Sequence, residues 1–214
     1  AGVIVVVLCV GAFSGSKGTK ELNVYNWGEY ISDGSEGSFD TIKEFEKWYE
    51  ENYGEKIVVN YDTFASNEDM YNKISSGAVS YDIIIPSDYM VERLMSEEML
   101  LKLDYSNIPN FSKYFDDEKY GHLIDSGIGD YAVIYNVGST ILIYNKNLVK
   151  EVPTSWKALW DEQYKGKILM FNNPRDAFCI AQCYLKQDVN TTDTKDWDAA
   201  LDLLKKQNPL VSSY

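Results

Sequence analysis

Three consecutive isoleucines, Ile83 to Ile85, run into Pro86 in the stretch YDIIIPSDY, and no other feature narrows the fold as much. A strand that is apolar at every position, rather than at every second one, is covered on both faces. Proline cannot donate to a ladder, so the strand ends at Pro86. A doubly covered sheet calls for layers of helix, and the neighbouring sequence supplies them. ELNVYNW (21–27) reads as a strand. SFDTIKEFEKWYEENYG (38–54) reads as a helix, with Phe39, Ile42, Phe45 and Tyr49 on one side and Gly54 as its stop. KIVVNYDTF (56–64) is the next strand. Ser66, with Asp69 three residues on, starts a short helix, and residues 88–98 are helical again. The order is βαβαβ, which predicts a parallel sheet with right-handed crossovers.

Such sheets bind ligands beyond the carboxyl ends of their strands. VYNWGEY (24–30) and IIIPSDY (83–89) both lie there. Trp27, Glu29, Tyr30, Ser87 and Tyr89 are therefore expected on one rim, although they are far apart along the chain.

A second α/β series begins near Tyr131. STILIYN (139–145) reads as a strand, and Pro153 and Ser155 lead a helix carrying Trp156, Leu159 and Trp160. KGKILMF (165–171) is a strand and NPRDAFCIAQCYL (173–185) a helix. DWDAALDLLKKQ (196–207) is a further helix with Ala200, Leu201 and Leu204 inward. The expected organisation is a leader over 1–20, a first α/β lobe over 21–136 and a second, truncated lobe over 137–214.

Residues 1–13, AGVIVVVLCVGAF, are almost wholly apolar. They are too few to span a bilayer as a helix, which takes ~20 residues, and they look like the core of a secretory signal. Cys9 is a candidate lipid-anchor position, although bulky Leu8 precedes it. The alternative is a stray buried strand. Cys179 and Cys183, four apart, suit two small core residues better than a disulfide or half a metal site.

The formal charge of −13, from 33 acidic and 20 basic residues, disfavours nucleic acid as a partner. A single histidine, His122, removes most His-rich metal sites and leaves no nucleophile–base–acid motif. GSEGS (34–38) lacks the Lys-Ser/Thr ending of a phosphate loop.

The aromatic–acid clusters carry more. An organic cation with a methylene stem needs carboxylates for its ammonium groups and flat rings for its stem, where each cation–π contact adds about 0.5–2 kcal/mol. Trp27, Tyr30 and Tyr89 offer the walls; Glu29 and Asp88 offer charge. In FNNPRDAF (171–178), Asn173 suits an N-cap, Pro174 the first helical position and Asp176 the positive helix end. Capping explains all three without a ligand, and a carboxylate at a strand's end also suits a cleft. The two readings are compatible.

VYNWGEY (24–30), SNEDMYNKI (66–74), YDIIIPSDYMV (81–91), TSWKALWDEQYKGKILMF (154–171), NNPRDAF (172–178) and NTTD (190–193) together resemble the periplasmic spermidine/putrescine-binding proteins of polyamine ABC importers. The resemblance runs from about Glu21 to Tyr214. It implies an α/β, two-lobed periplasmic-binding-protein-like fold of type II that closes on its ligand around a hinge, here with its second lobe incomplete. It implies that Trp27 and Tyr30 line the site, that Glu29 helps hold an amine, and that Ser87 and Tyr89 come from the facing loop. Asn173 and Asp176 fall at the second lobe's acidic pair. It further implies a polyamine ligand and a membrane permease as partners, a monomer without cofactor or catalysis, and a place in the periplasm or on the outer face of the cytoplasmic membrane.

Asn173 is neutral where the best-known members carry aspartate, Gly28 sits where some members have a threonine, and the family continues for roughly another domain's length. The rival expectations are a same-fold binder of a sugar or metal complex, a sensor of the same fold, and a hydrolase using Glu29 or Asp176.

Overall fold

The computed structural model describes residues 2–8, 19–115, 121 and 127–214. Cys9, His122 and the polar end of the leader lie outside the described residues. The chain divides into two compact units, Ala1–Ser139 and Thr140–Tyr214.

In the first unit, β1 (Gly2–Leu8), β2 (Lys20–Trp27), β3 (Ile57–Phe64), β4 (Ile83–Ile84) and β5 (Val133–Gly138) form one sheet in the order β3-β2-β4-β1-β5. β2 runs parallel to β3 from Lys20 opposite Ile57 to Trp27 opposite Phe64. It also runs parallel to β4, with Val24 opposite Ile83 and Tyr25 opposite Ile84. The crossover pattern is as expected, but the sheet is mixed: β1 lies antiparallel to both β4 and β5. Gly2–Leu8, part of the apolar run expected as an export leader with a strand as its alternative, occupies that position in the sheet.

Val24, Tyr25 and Asn26 are all buried, which a strand achieves only when both its faces are covered. One face carries the main core. Met70 of α2 (Asn67–Ser75) and Met90, Val91 and Leu94 of α3 (Asp88–Ser96) pack with Tyr25, Phe64 and Ile84. The Ser66 hydroxyl accepts from the Asp69 amide at 3.1 Å and donates to its carboxylate at 2.7 Å, the local signal that starts α2.

α1 (Thr41–Tyr53) is capped by Asp40 and stopped by Gly54 at φ 69°, in the left-handed region that glycine occupies without strain. Its apolar side is covered less than its periodicity predicts. Phe39 is exposed, Ile42, Phe45 and Tyr49 are half-buried, and the helix buries no residue fully. It lies along β3, the outer strand of the sheet, where there is little to pack against. Its Glu46 carboxylate instead accepts the outward Val59 amide of β3 at 2.8 Å, blunting an edge that would otherwise invite pairing.

The first unit also carries the short helix α4 (Phe111–Tyr114). In the second unit, β6 (Ile168–Leu169) runs parallel to β7 (Val211–Ser213), and α5 (Pro174–Leu185) packs with α6 (Thr194–Gln207). STILIYN is not a strand. Residues 139–145 have no ladder partner among those described, and Ile143 is 82% exposed. A strand without a neighbour has nowhere to send its backbone hydrogen bonds, and the sheet-forming segment is the preceding one, Val133–Gly138. Pro153 and Ser155 lead a 3₁₀ turn, Trp156–Trp160, rather than a longer helix.

In α6, Leu201 turns outward. The covered stripe is Ala200, Leu203, Leu204 and Gln207. Gln207 is wholly buried and donates to the Leu159 carbonyl at 3.1 Å. The cysteines are not core residues either: the inward side of α5 is taken by Ala177, Ile180 and Ala181, leaving Cys179 half-buried and Cys183 exposed, both as free thiols. No helix among the described residues is long and apolar enough to cross a membrane.

Candidate functional site

Parallel pairing of β2 with β3 and β4 brings their carboxyl ends to one rim of the first unit. Trp27 ends β2, Phe64 ends β3 and Ser87 follows β4. Trp27 is half-buried, its ring centroid 4.7 Å from that of Phe64. Its backbone amide donates to the Asn26 side chain at 2.8 Å. Its indole Nε1 is buried and meets no acceptor among the described residues. Trp27 and Tyr89 both pack, partly buried, against the same core cluster.

The turn after Trp27 is unusual. Glu29 is exposed and adopts φ 55°, a left-handed backbone that costs a non-glycine residue about 1 kcal/mol. Gly28 does not need to be glycine: a Cβ there would meet nothing within 4 Å. Tyr30 is drawn to β5, where its hydroxyl accepts from Asn136 at 3.3 Å and its carbonyl from the Tyr135 hydroxyl at 2.7 Å. Burial, and then the Tyr30 neighbour, push the Tyr135 hydroxyl above its ordinary range.

Ser87 and Tyr89 are brought together by Asn67, a residue of the SNEDMYNKI stretch (66–74) that is not among the expected site residues. Asn67, 2% exposed, donates from Nδ2 to Ser87 Oγ at 3.0 Å and to the Tyr89 hydroxyl at 2.9 Å, and its Oδ1 accepts from the Ser87 amide at 3.1 Å. The Tyr89 hydroxyl in turn donates to Glu68 Oε1 at 3.1 Å. The sequence signal for Asn67 is its place directly after the Ser66 cap, from which its side chain reaches Ser87 beyond β4. Asp88, offered as a charge for the rim, accepts from the Tyr89 amide at 2.8 Å and so serves the first turn of α3.

The same unit holds one amine between aromatic rings and a carboxylate. Lys73 Nζ lies 4.6 Å from the Tyr25 ring and 5.3 Å from the Tyr81 ring, and 3.3 Å from Asp62 Oδ2. The two rings stack at 4.4 Å, and the Tyr81 hydroxyl donates to Asp62 at 2.6 Å. Lys73 is raised above the usual lysine range, first by the Tyr81 hydroxyl and then by Asp62. Asp62 is lowered, first by the Tyr81 hydroxyl and then by Lys73.

In the second unit, Asn173 caps α5 by accepting from the Arg175 amide at 3.0 Å, with Pro174 at the first helical position. Asp176 lies in the first turn and accepts from the Thr140 hydroxyl at 3.3 Å. An open pocket of about 430 Å³ in this unit is lined by Pro153, Trp156, Lys157, Cys183, Tyr184 and Lys186, among others, and by no carboxylate, which makes it a poor seat for a cation. Among the described residues no three His, Cys, Asp or Glu side chains gather as a metal site.

A family model described as bacterial extracellular solute-binding protein matches residues 40–212. The chain is 36% identical over 198 residues to the spermidine/putrescine-binding periplasmic protein of Escherichia coli (strain K12), a match covering 90% of this chain and 52% of that one. It is 30% identical over 222 residues to the putrescine/cadaverine-binding protein of Pseudomonas aeruginosa, covering 99% and 58%. Among solved structures, a Listeria monocytogenes protein titled for a spermidine/putrescine ABC transporter superposes with a TM-score of 0.75 at 31% identity, covering 91% of this chain and 56% of that one. The chain spans about half the length of the curated relatives it matches.

Proposed function

The chain belongs to the family of bacterial extracellular solute-binding proteins, and we propose that within it this protein captures a polyamine, putrescine or spermidine, outside the cytoplasm and delivers it to the permease of an ABC importer. The observation that carries the reading is the shared seat of Trp27 and Tyr89 on one core at the carboxyl ends of parallel β2 and β4. Rings in that position wall a methylene chain, and Tyr30 adds a third from the following turn. Glu29, exposed at the same turn, takes an ammonium group through a charge-assisted hydrogen bond. Ser87 supplies a hydroxyl beside Tyr89.

In the second unit, Asp176 is the ammonium acceptor and Asn173 a neutral neighbour that accepts or donates one hydrogen bond. The relatives named for spermidine, putrescine and cadaverine support this ligand class. A family of solute-binding proteins gives a hydrolytic role for Glu29 or Asp176 no support. We place the protein in the periplasm or on the outer face of the cytoplasmic membrane.

Calorimetry on the full-length protein with putrescine, spermidine, maltose and glycine betaine tests the reading. Heat from a polyamine and none from the sugar or the betaine is expected; heat from neither polyamine overturns it.

A further inference from the structure

We infer that Asn67 is the positioning residue of this rim: its buried carboxamide fixes where Ser87 and Tyr89 stand and which way their hydroxyl protons point. Only the binding test of this role rests on the polyamine reading above. The Ser87 backbone amide can only donate, so the atom of Asn67 facing it at 3.1 Å is the oxygen. That places the side-chain nitrogen, which can only donate, against both hydroxyl oxygens at 3.0 and 2.9 Å. Each hydroxyl accepts on that side, and each proton is turned elsewhere. Tyr89 gives its proton to Glu68. Ser87, standing before α3, makes no side-chain cap to that helix, because its hydroxyl is engaged by Asn67 instead.

Three of the four hydrogen-bonding positions of Asn67 are thus spent on two rim residues. A side chain kept only for packing would not need them, and a buried carboxamide is costly unless it is paired. The outcome is a rim whose two hydroxyl oxygens are held in place from beneath by one carboxamide.

The test compares full-length wild type, Asn67→Ala, the double variant Ser87→Ala with Tyr89→Phe, and the triple variant, by calorimetry with putrescine. Asn67→Ala is expected to weaken binding about tenfold. The triple variant is expected to bind no more weakly than the double, because Asn67 then has no hydroxyls left to act through. Independent, additive losses overturn the inference, as does wild-type affinity in Asn67→Ala. If Asn67→Ala does not fold, Asn67→Asp takes its place: it keeps the volume and the acceptor for the Ser87 amide but cannot donate, and the same non-additivity is expected.

A ligand-free readout separates this inference from the polyamine reading. In nuclear magnetic resonance spectra, the Ser87 amide proton and the Tyr89 Cζ are both expected to shift in the Asn67 variant. If both stay in place, the inference falls whatever the protein binds. If they shift but wild type binds no polyamine, the polyamine reading falls and the positioning role stands.

Discussion

Asn67 and Tyr89 meet nitrogen to oxygen at 2.9 Å although 22 residues separate them in the chain. The contact joins the start of α2 to the start of α3, so the loops after β3 and β4 form one surface. It explains why two carboxyl-end loops of a parallel sheet can present ordered hydroxyls: the order comes from a buried carboxamide beneath them.

Glu29→Gln removes the exposed carboxylate of the turn after β2 while keeping its shape. It is expected to weaken putrescine binding about ten- to hundredfold, the range of a charge-assisted hydrogen bond. Glu51→Gln on α1 changes the net charge equally and is expected to leave affinity unchanged. Calorimetry at fixed salt checks both.

Leu94 of α3 is fully buried, and Leu101 is half exposed. Leu94→Ala is expected to cost about 3 kcal/mol through lost burial and a residual cavity. Leu101→Ala is expected to cost less than about 0.5 kcal/mol. Urea unfolding followed by circular dichroism distinguishes them.

The Lys73–Asp62 pair gives stability a pH signature. Asp62 lies below the usual carboxylate range in the folded chain, so its contribution is present above the unfolded value and is lost as pH falls through the folded one. Lys73 lies above the lysine range, so its contribution is present below the unfolded value and is lost as pH rises through the folded one. Asp62→Asn is therefore expected to lower the melting temperature at pH 7 but to melt with wild type near pH 2. Scanning calorimetry at the two pH values provides the check.

Asn173→Asp keeps the cap on α5, because aspartate caps as well as asparagine, and adds negative charge at the positive helix end. Thermal stability is expected to hold or rise by less than ~1 kcal/mol, while putrescine affinity rises a few-fold. Tighter melting without tighter binding would leave Asn173 as a cap alone.

Cys183 is exposed, whereas the Cys179 thiol is pushed up, first by burial and then by the Cys183 neighbour. Iodoacetamide is expected to label Cys183 in the native protein well before Cys179. Peptide mass spectrometry over a time course reads the order.

Local chemistry was legible where it is self-contained. The Ser66 cap, the Gly54 stop and the Asn173-Pro174 start each depend on residues within one turn of one another, and each is found as read. The isoleucine run and the βαβαβ order announced β2, β3 and β4 in parallel, because a doubly covered strand has few alternatives. STILIYN failed for the opposite reason. Apolar alternation shows that a segment can pair, but pairing needs a neighbour, and residues 139–145 have none among those described. Phe39 and Leu201 were misjudged similarly: periodicity names a face but does not say whether anything covers it.

By itself the sequence determined which segments become β2, β3, β4 and the helices between them, and that aromatic rings and a carboxylate fall at strand ends. Those properties follow from nearest-neighbour sterics and from alternation of apolar with polar residues. Only the tertiary structure decided that Asn67 reaches Ser87 and Tyr89, that Tyr30 is held by β5, and that the run Gly2–Leu8 lies between β4 and β5. Each joins residues distant along the chain through hydrogen bonds whose partners exist only once the sheet has formed.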